Sequence, residues 1–234
     1  MEKYLKISPL KILEKSSHKE LGKGNLGVLI SRAGVGKTSC LIHVALDRLF
    51  RKGKIVHVSL KDTPEKVISY YNVICLDVFK SLALDMEDEQ EVRTFLDKNR
   101  IILAYLKESF GLDRLSKNLK NLIEDINFKP DTLIIDGFDF EESDKNAFEE
   151  FKEMAKEFQV EIWFSALSHR HIDKVNERGI PFPCSNFDDL FNLIIQLQPT
   201  QEGLFLKLLK DNEVKLTPDI TVRLDPNNFF VIEQ

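Results

Sequence analysis

Residues 31–38 read Ser-Arg-Ala-Gly-Val-Gly-Lys-Thr, between an apolar run, Leu26-Gly27-Val28-Leu29-Ile30, and an amphipathic run from Cys40 to Leu49. A buried strand, a glycine-bearing turn and a helix in that order make a loop that cradles phosphate. Gly34 and Gly36 let the backbone turn with its N–H groups aimed inward, and the following helix brings its positive dipole end to the same point. The nucleotide-contacting set is therefore Ser31-Arg32-Ala33-Gly34-Val35-Gly36-Lys37-Thr38-Ser39. Lys37 is expected to reach the β- and γ-phosphates, and the Thr38 hydroxyl to ligate magnesium, which takes few protein ligands and keeps waters. The usual first glycine is replaced by Ser31, which fits without strain provided its φ is negative.

A second element supports the first. Asp131-Thr132-Leu133-Ile134-Ile135-Asp136 reads as a buried strand ending in an acid. In proteins with such a loop, a strand beside it ends in an aspartate that helps hold the metal. Asp136 is the candidate, making Thr38 and Asp136 the metal-facing pair.

Hydrophobic periodicity places further strands at 27–31, 54–60, 100–105 and 160–166, with helices at about 38–51, around Leu112 to Ile126, and at 144–158. A helix-rich stretch covers 65–99, opened by Thr63-Pro64-Glu65, its acidic run Asp85-Met86-Glu87-Asp88-Glu89 reading as a solvated face. A short helix is expected around Leu10 to Lys15. Short strands follow at 191–198, 203–210, 219–224 and 228–232. Helices alternating with apolar strands imply a parallel sheet, and the late hairpins an antiparallel extension. The strand ends carrying Ser31, Leu60-Lys61-Asp62, Asp136 and Ser165 to His169 are expected to meet on one edge.

Composition narrows the class. With 43% hydrophobic residues the chain suits one packed domain over 1–234. A net charge of −5 argues against nonspecific nucleic-acid binding over the whole surface, and no basic stripe interleaved with aromatics occurs, which leaves a local basic groove for nucleic acid open but unsupported. No apolar run approaches the length of a membrane span, and the first residues lack a signal-peptide core, so a cytoplasmic protein with no membrane partner is expected. Cys40, Cys75 and Cys184 are far apart and without metal-ligand spacing; they read as reduced, buried thiols.

The arrangement resembles the RecA/KaiC-like branch of P-loop ATPases. The resemblance is carried by the 31–38 loop, by Val58-Ser59-Leu60-Lys61-Asp62-Thr63-Pro64-Glu65, by Asp136-Gly137, by the polar end of the fifth strand, and by the hairpin run Gly203 to Lys210. It implies an α/β, three-layer RecA-like core with a mainly parallel sheet and a C-terminal antiparallel extension. It also implies ATP and Mg2+ as cofactors, and a homo-oligomer or a protein partner. His169 would sense the γ-phosphate, and Lys207 or Lys210 would touch nucleotide on a neighbouring subunit. The family commonly has a water-orienting glutamate after its second strand; Lys61 stands there, with Asp62 next. Asp62, alongside Lys37 and Asp136, is the catalytic candidate, and its competing reading is a helix cap.

Three functions stay open. One is a slow Mg-dependent ATPase coupling nucleotide state to oligomer or partner binding. Another is a hydrolysis-deficient nucleotide switch, favoured by Lys61 and Ser31. The third is a P-loop phosphotransferase, weakened by the absence of clustered arginines between residues 60 and 130. ATP over GTP follows from the resemblance and from the lack of an Asn-Lys-x-Asp sequence.

Overall fold

The computed structural model describes residues 2–16, 20–168, 174–212 and 220–232. Its centre is a nine-stranded sheet of order β3-β2-β4-β5-β1-β6-β7-β8-β9. The strands are β1 (Leu26–Ser31), β2 (Ile55–Ser59), β3 (Arg100–Ala104), β4 (Thr132–Asp136), β5 (Glu161–Leu167), β6 (Leu193–Thr200), β7 (Gly203–Asp211), β8 (Ile220–Leu224) and β9 (Val231–Ile232). From β3 to β6 all neighbours run parallel; β7, β8 and β9 add antiparallel hairpins. The first late strand thus completes the parallel sheet beside β1 before the antiparallel extension begins.

The parallel strands are apolar on both faces because helices cover both. Val56, Val58, Leu133, Ile135, Ile162 and Phe164 face one core; Ile55, Ile134 and Trp163, one step out of phase, face the other. On the Trp163 side pack α2 (Lys37–Phe50), α3 (Pro64–Leu82), α4 (Met86–Asn99) and the N-terminal segment with its short α1 (Glu2–Leu5). On the other side lie α5 (Leu112–Glu124) and α6 (Lys145–Phe158). That second core is rich in phenylalanine: Phe151 meets the rings of Phe110, Phe138 and Phe164 at centroid distances of 6.5, 5.2 and 4.9 Å.

Local chemistry sets the boundaries. Thr63 caps α3, with Pro64 in its first turn. The helix-rich stretch divides because Ala83 adopts φ 52°, ending α3. Asp85 then caps α4 by accepting from the Asp88 amide, and Glu87, Asp88 and Glu89 occupy its first turn. The acidic run is thus a helix start that favours the positive end of the dipole, rather than only a solvated face. The expected helix near Leu10 is a 3-10 helix, Pro9–Lys15, capped by Ser8. The final expected strand shortens to Val231–Ile232, because residues 225–229 form a turn in which the Phe229 amide donates to the Asp225 carbonyl.

Asp144 caps α6 through the Ala147 amide, at 3.0 Å. Asp144→Ala is expected to cost about 1 kcal/mol, a fall in Tm of roughly 2–4 °C in a thermal melt.

Candidate functional site

β1 is buried along its whole length and ends at Ser31, in parallel register with Leu167 of β5. Ser31 is an ordinary strand residue and is absent from the positive-φ set, so the missing first glycine carries no strain. The turn is made instead by Gly34 at φ 75° and Gly36 at φ 107°. Gly36 is the N-cap of α2 and supplies no side-chain cap, so no side chain closes the helix start at that position. The Lys37 ammonium folds back over the loop, donating to the carbonyls of Ser31 and Arg32 at 3.1 and 3.0 Å.

Asp136 closes the site from β4. The sequence reading put the acid on the strand beside the loop; instead one strand, β5, lies between β4 and β1. β5 contributes chemistry there: the Ser165 hydroxyl donates to Asp136 Oδ1 at 2.6 Å and accepts from the Gly137 amide at 3.1 Å. The Thr38 hydroxyl donates to Asp136 Oδ2 at 2.9 Å. Lys61 completes the group, with Nζ 2.7 Å from Thr38 Oγ1 and 3.0 Å from Asp136 Oδ2.

The turn after β2 explains which way Lys61 faces. The β2–β4 ladder runs on to the Leu60 amide and the Asp136 carbonyl, and the Asp62 amide then donates to the Ser59 hydroxyl. Lys61 therefore reaches Asp136, while Asp62 pairs with Lys66 at 3.2 Å, one helical turn on. Thr63, not Asp62, is the cap of α3. Among the lining residues of the cleft, Lys61 is present and Asp62 is not.

The cleft has a volume of about 480 Å³ and is lined by Ala33, Gly34, Lys37, Lys61 and Ser165, with Lys107, Asp139 and Glu141 on its far wall. Nothing in the sequence marks Lys107, Asp139 or Glu141 as site residues. Lys107 bonds Asp139 at 2.9 Å and Glu142 at 3.0 Å. Past Gly137 the cleft is lined by Phe138, Asp139, Phe140 and Glu141 alike, so no alternation in the sequence singles out the acids. No arginine lines this cleft among the described residues.

Electrostatics fit a ligand of negative charge. Burial and the neighbouring Lys61 ammonium depress the Lys37 pKa to about 8, against a partial opposing effect of Asp136. Burial works against charge on Asp136, yet the Lys61 ammonium and the Ser165 hydroxyl hold its carboxyl below the usual carboxylate range. Lys61 is thus in contact with the carboxylate, while the Lys37 ammonium rests on the loop carbonyls.

The donors expected for magnesium, a hydroxyl and a carboxylate, are of the right type. They are bonded to each other, and both already face an ammonium, so a metal between them requires Lys61 to withdraw. Among the described residues no cluster of three histidine, cysteine or acidic side chains forms another metal site.

Other expected residues fall elsewhere. His169 lies outside the described residues. Lys210 is buried and donates to the Asp188 carbonyl, so its ammonium is held within its own chain. The alternation Leu204, Leu206, Leu208, Lys210 had already put it on the buried side. All three cysteines are buried and unpaired, and burial pushes the Cys40 thiol up to about 12, which makes it unreactive despite its nearness to the loop. A residue with no sequence signal closes the loop from beneath: Phe229, whose ring would lie 2.2 Å from a Cβ placed on Gly36.

No helix of the described residues is long and apolar enough to cross a membrane. The α/β architecture with its mostly parallel sheet is compatible with a P-loop nucleotide-binding protein. No protein-family model matches the chain, and no curated protein matches it either.

Proposed function

We propose that this chain binds ATP, or a closely related nucleoside triphosphate, in the cleft at the 31–38 loop. Hydrolysis is slow or absent, and the bound state is read out by an oligomer or protein partner, as in the RecA/KaiC-like ATPases it resembles. The observation that carries this reading is the Gly34–Gly36 turn with the Lys37 ammonium folded over it and the Lys61 ammonium beside it, paired with Asp136. Lys37 is the residue for the terminal phosphates. The segments after β2 and β4 and the last residues of β5 border the same cleft, so a phosphate contacting them can shift each one.

Slow or absent turnover is supported by Lys61 where a water-orienting acid is expected and by Asp62 being committed to Lys66. Among the described residues no arginine lines the cleft, which argues against a phosphotransferase, whose chemistry needs cations clamped over the transferred group.

Calorimetric titration with ATP, ADP and AMP tests the reading. Affinity should follow the phosphate tail, with AMP weaker than ATP by about 100-fold or more. The pH dependence is specific as well. Because Lys37 in the free protein loses its proton near pH 8 and a bound phosphate favours the charged form, binding takes up a proton above that pH. ATP affinity should fall as pH rises from about 8, approaching tenfold per unit. Equal affinity for AMP and ATP, or an affinity unchanged between pH 7.5 and 9.5, contradicts the proposal.

A further inference from the structure

We propose that Lys61 is a built-in counter-cation, and that the chain binds a nucleoside polyphosphate without a divalent metal. The inference rests on the cradle reading above and concerns what neutralises the phosphates once they are there.

Its basis is positional. Lys61 Nζ lies 2.7 Å from Thr38 Oγ1 and 3.0 Å from Asp136 Oδ2, between the two oxygens that a loop of this kind offers to a cation. Both carboxylate oxygens are engaged: Oδ1 accepts from Ser165, and Oδ2 accepts from Thr38 and faces the Lys61 ammonium. An ammonium has three N–H donors. Two point at Thr38 and Asp136, which leaves one for a phosphate oxygen, and the Lys61 side chain is 41% exposed on the cleft side.

The stem is accommodated as deliberately as the head. Gly137, the residue after Asp136, has φ 90°, and a Cβ there would lie 3.3 Å from Cβ, Cγ and Cδ of Lys61. A side chain at 137 would crowd the lysine that glycine admits. The ladder between β2 and β4 pairs Ser59 with Asp136, which fixes Lys61 at the carboxylate through the backbone rather than through a flexible loop.

The chemistry differs from that of a metal in one respect. An ammonium carries a single charge, spread over N–H donors, and cannot bring ordered waters into line. It can neutralise and position a phosphate tail but polarises it less, consistent with retention of ATP and slow turnover.

The test is ATP binding measured by calorimetry on the full chain, in EDTA and in excess magnesium. For the wild type, Kd in EDTA should lie within about threefold of the magnesium value. Lys61→Met should lose at least about tenfold in EDTA and recover most of it when magnesium is added, now that the pair of oxygens is open to the metal. Wild-type binding that appears only with magnesium overturns the inference while leaving the cradle intact. Lys61→Met binding ATP in EDTA as well as wild type also overturns it. No binding in either buffer removes the cradle reading itself, and this inference with it. If a thermal melt shows Lys61→Met unfolded, the wild-type comparison between the two buffers still decides.

Discussion

Lys37→Ala will bind ATP at least about 100-fold more weakly than wild type while melting within a few degrees of it. The affinity loss follows from geometry. The ammonium reaches out from the loop itself and is held over it by the Ser31 and Arg32 carbonyls. Each charge-assisted bond to a phosphate oxygen is worth about 1.5–3 kcal/mol, and two of them account for the expected factor. The small effect on stability follows from opposing costs. The variant gives up two bonds to carbonyls, but it also removes a partly buried charge that burial and Lys61 disfavour, as its pKa of about 8 records. Calorimetry and a melting curve on the same sample separate the two. Loss of fold together with binding would mean that the lysine is structural; unchanged affinity would mean that phosphate goes elsewhere.

Gly36→Ala should lower stability by about 3 kcal/mol, or roughly 6–12 °C in Tm. Two penalties combine. A φ of 107° is strained for any L side chain, and the new Cβ would lie 2.2 Å from Phe229 Cζ and 2.7 Å from Cε1. They can be told apart. In a Phe229→Ala background the steric part disappears, so the same glycine substitution should cost only about 1 kcal/mol, the backbone part. An equal cost in both backgrounds would mean that the ring does not rest on the loop.

The site divides sharply into what a sequence can announce and what only folding assembles. The loop from Ser31 to Thr38 is legible because its chemistry is contiguous: glycines, lysine and hydroxyl in one stretch, with strand and helix on either side. Asp136 is legible because it ends an apolar run. The strand order is not, since nothing in the pattern of β5 tells that it inserts between β1 and β4 and brings Ser165 to both Asp136 and Gly137. Lys61 stands out in sequence only as a departure from an expected acid. Its contact with Asp136 depends on the register of β2 against β4, a long-range property. Asp139 and Glu141 are not legible, because acids after a strand look like surface and Phe138 and Phe140 line the same cleft. Lys210 shows the reverse case, a lysine read as exposed whose burial was written in the leucine alternation before it.

Phe229 has a consequence for how the protein is made. Its ring supports Gly36 from a turn near the far end of the chain, and the next strand is tied to the N-terminal segment by the Val231 amide donating to the Ile7 carbonyl. A ribosome adding about 5–20 residues per second reaches Phe229 roughly 10–40 s after Gly36. Throughout that interval the nascent loop has its glycines and its lysine but not the ring beneath them. The capacity to grip a phosphate tail is therefore completed only once the turn carrying Phe229 has been made.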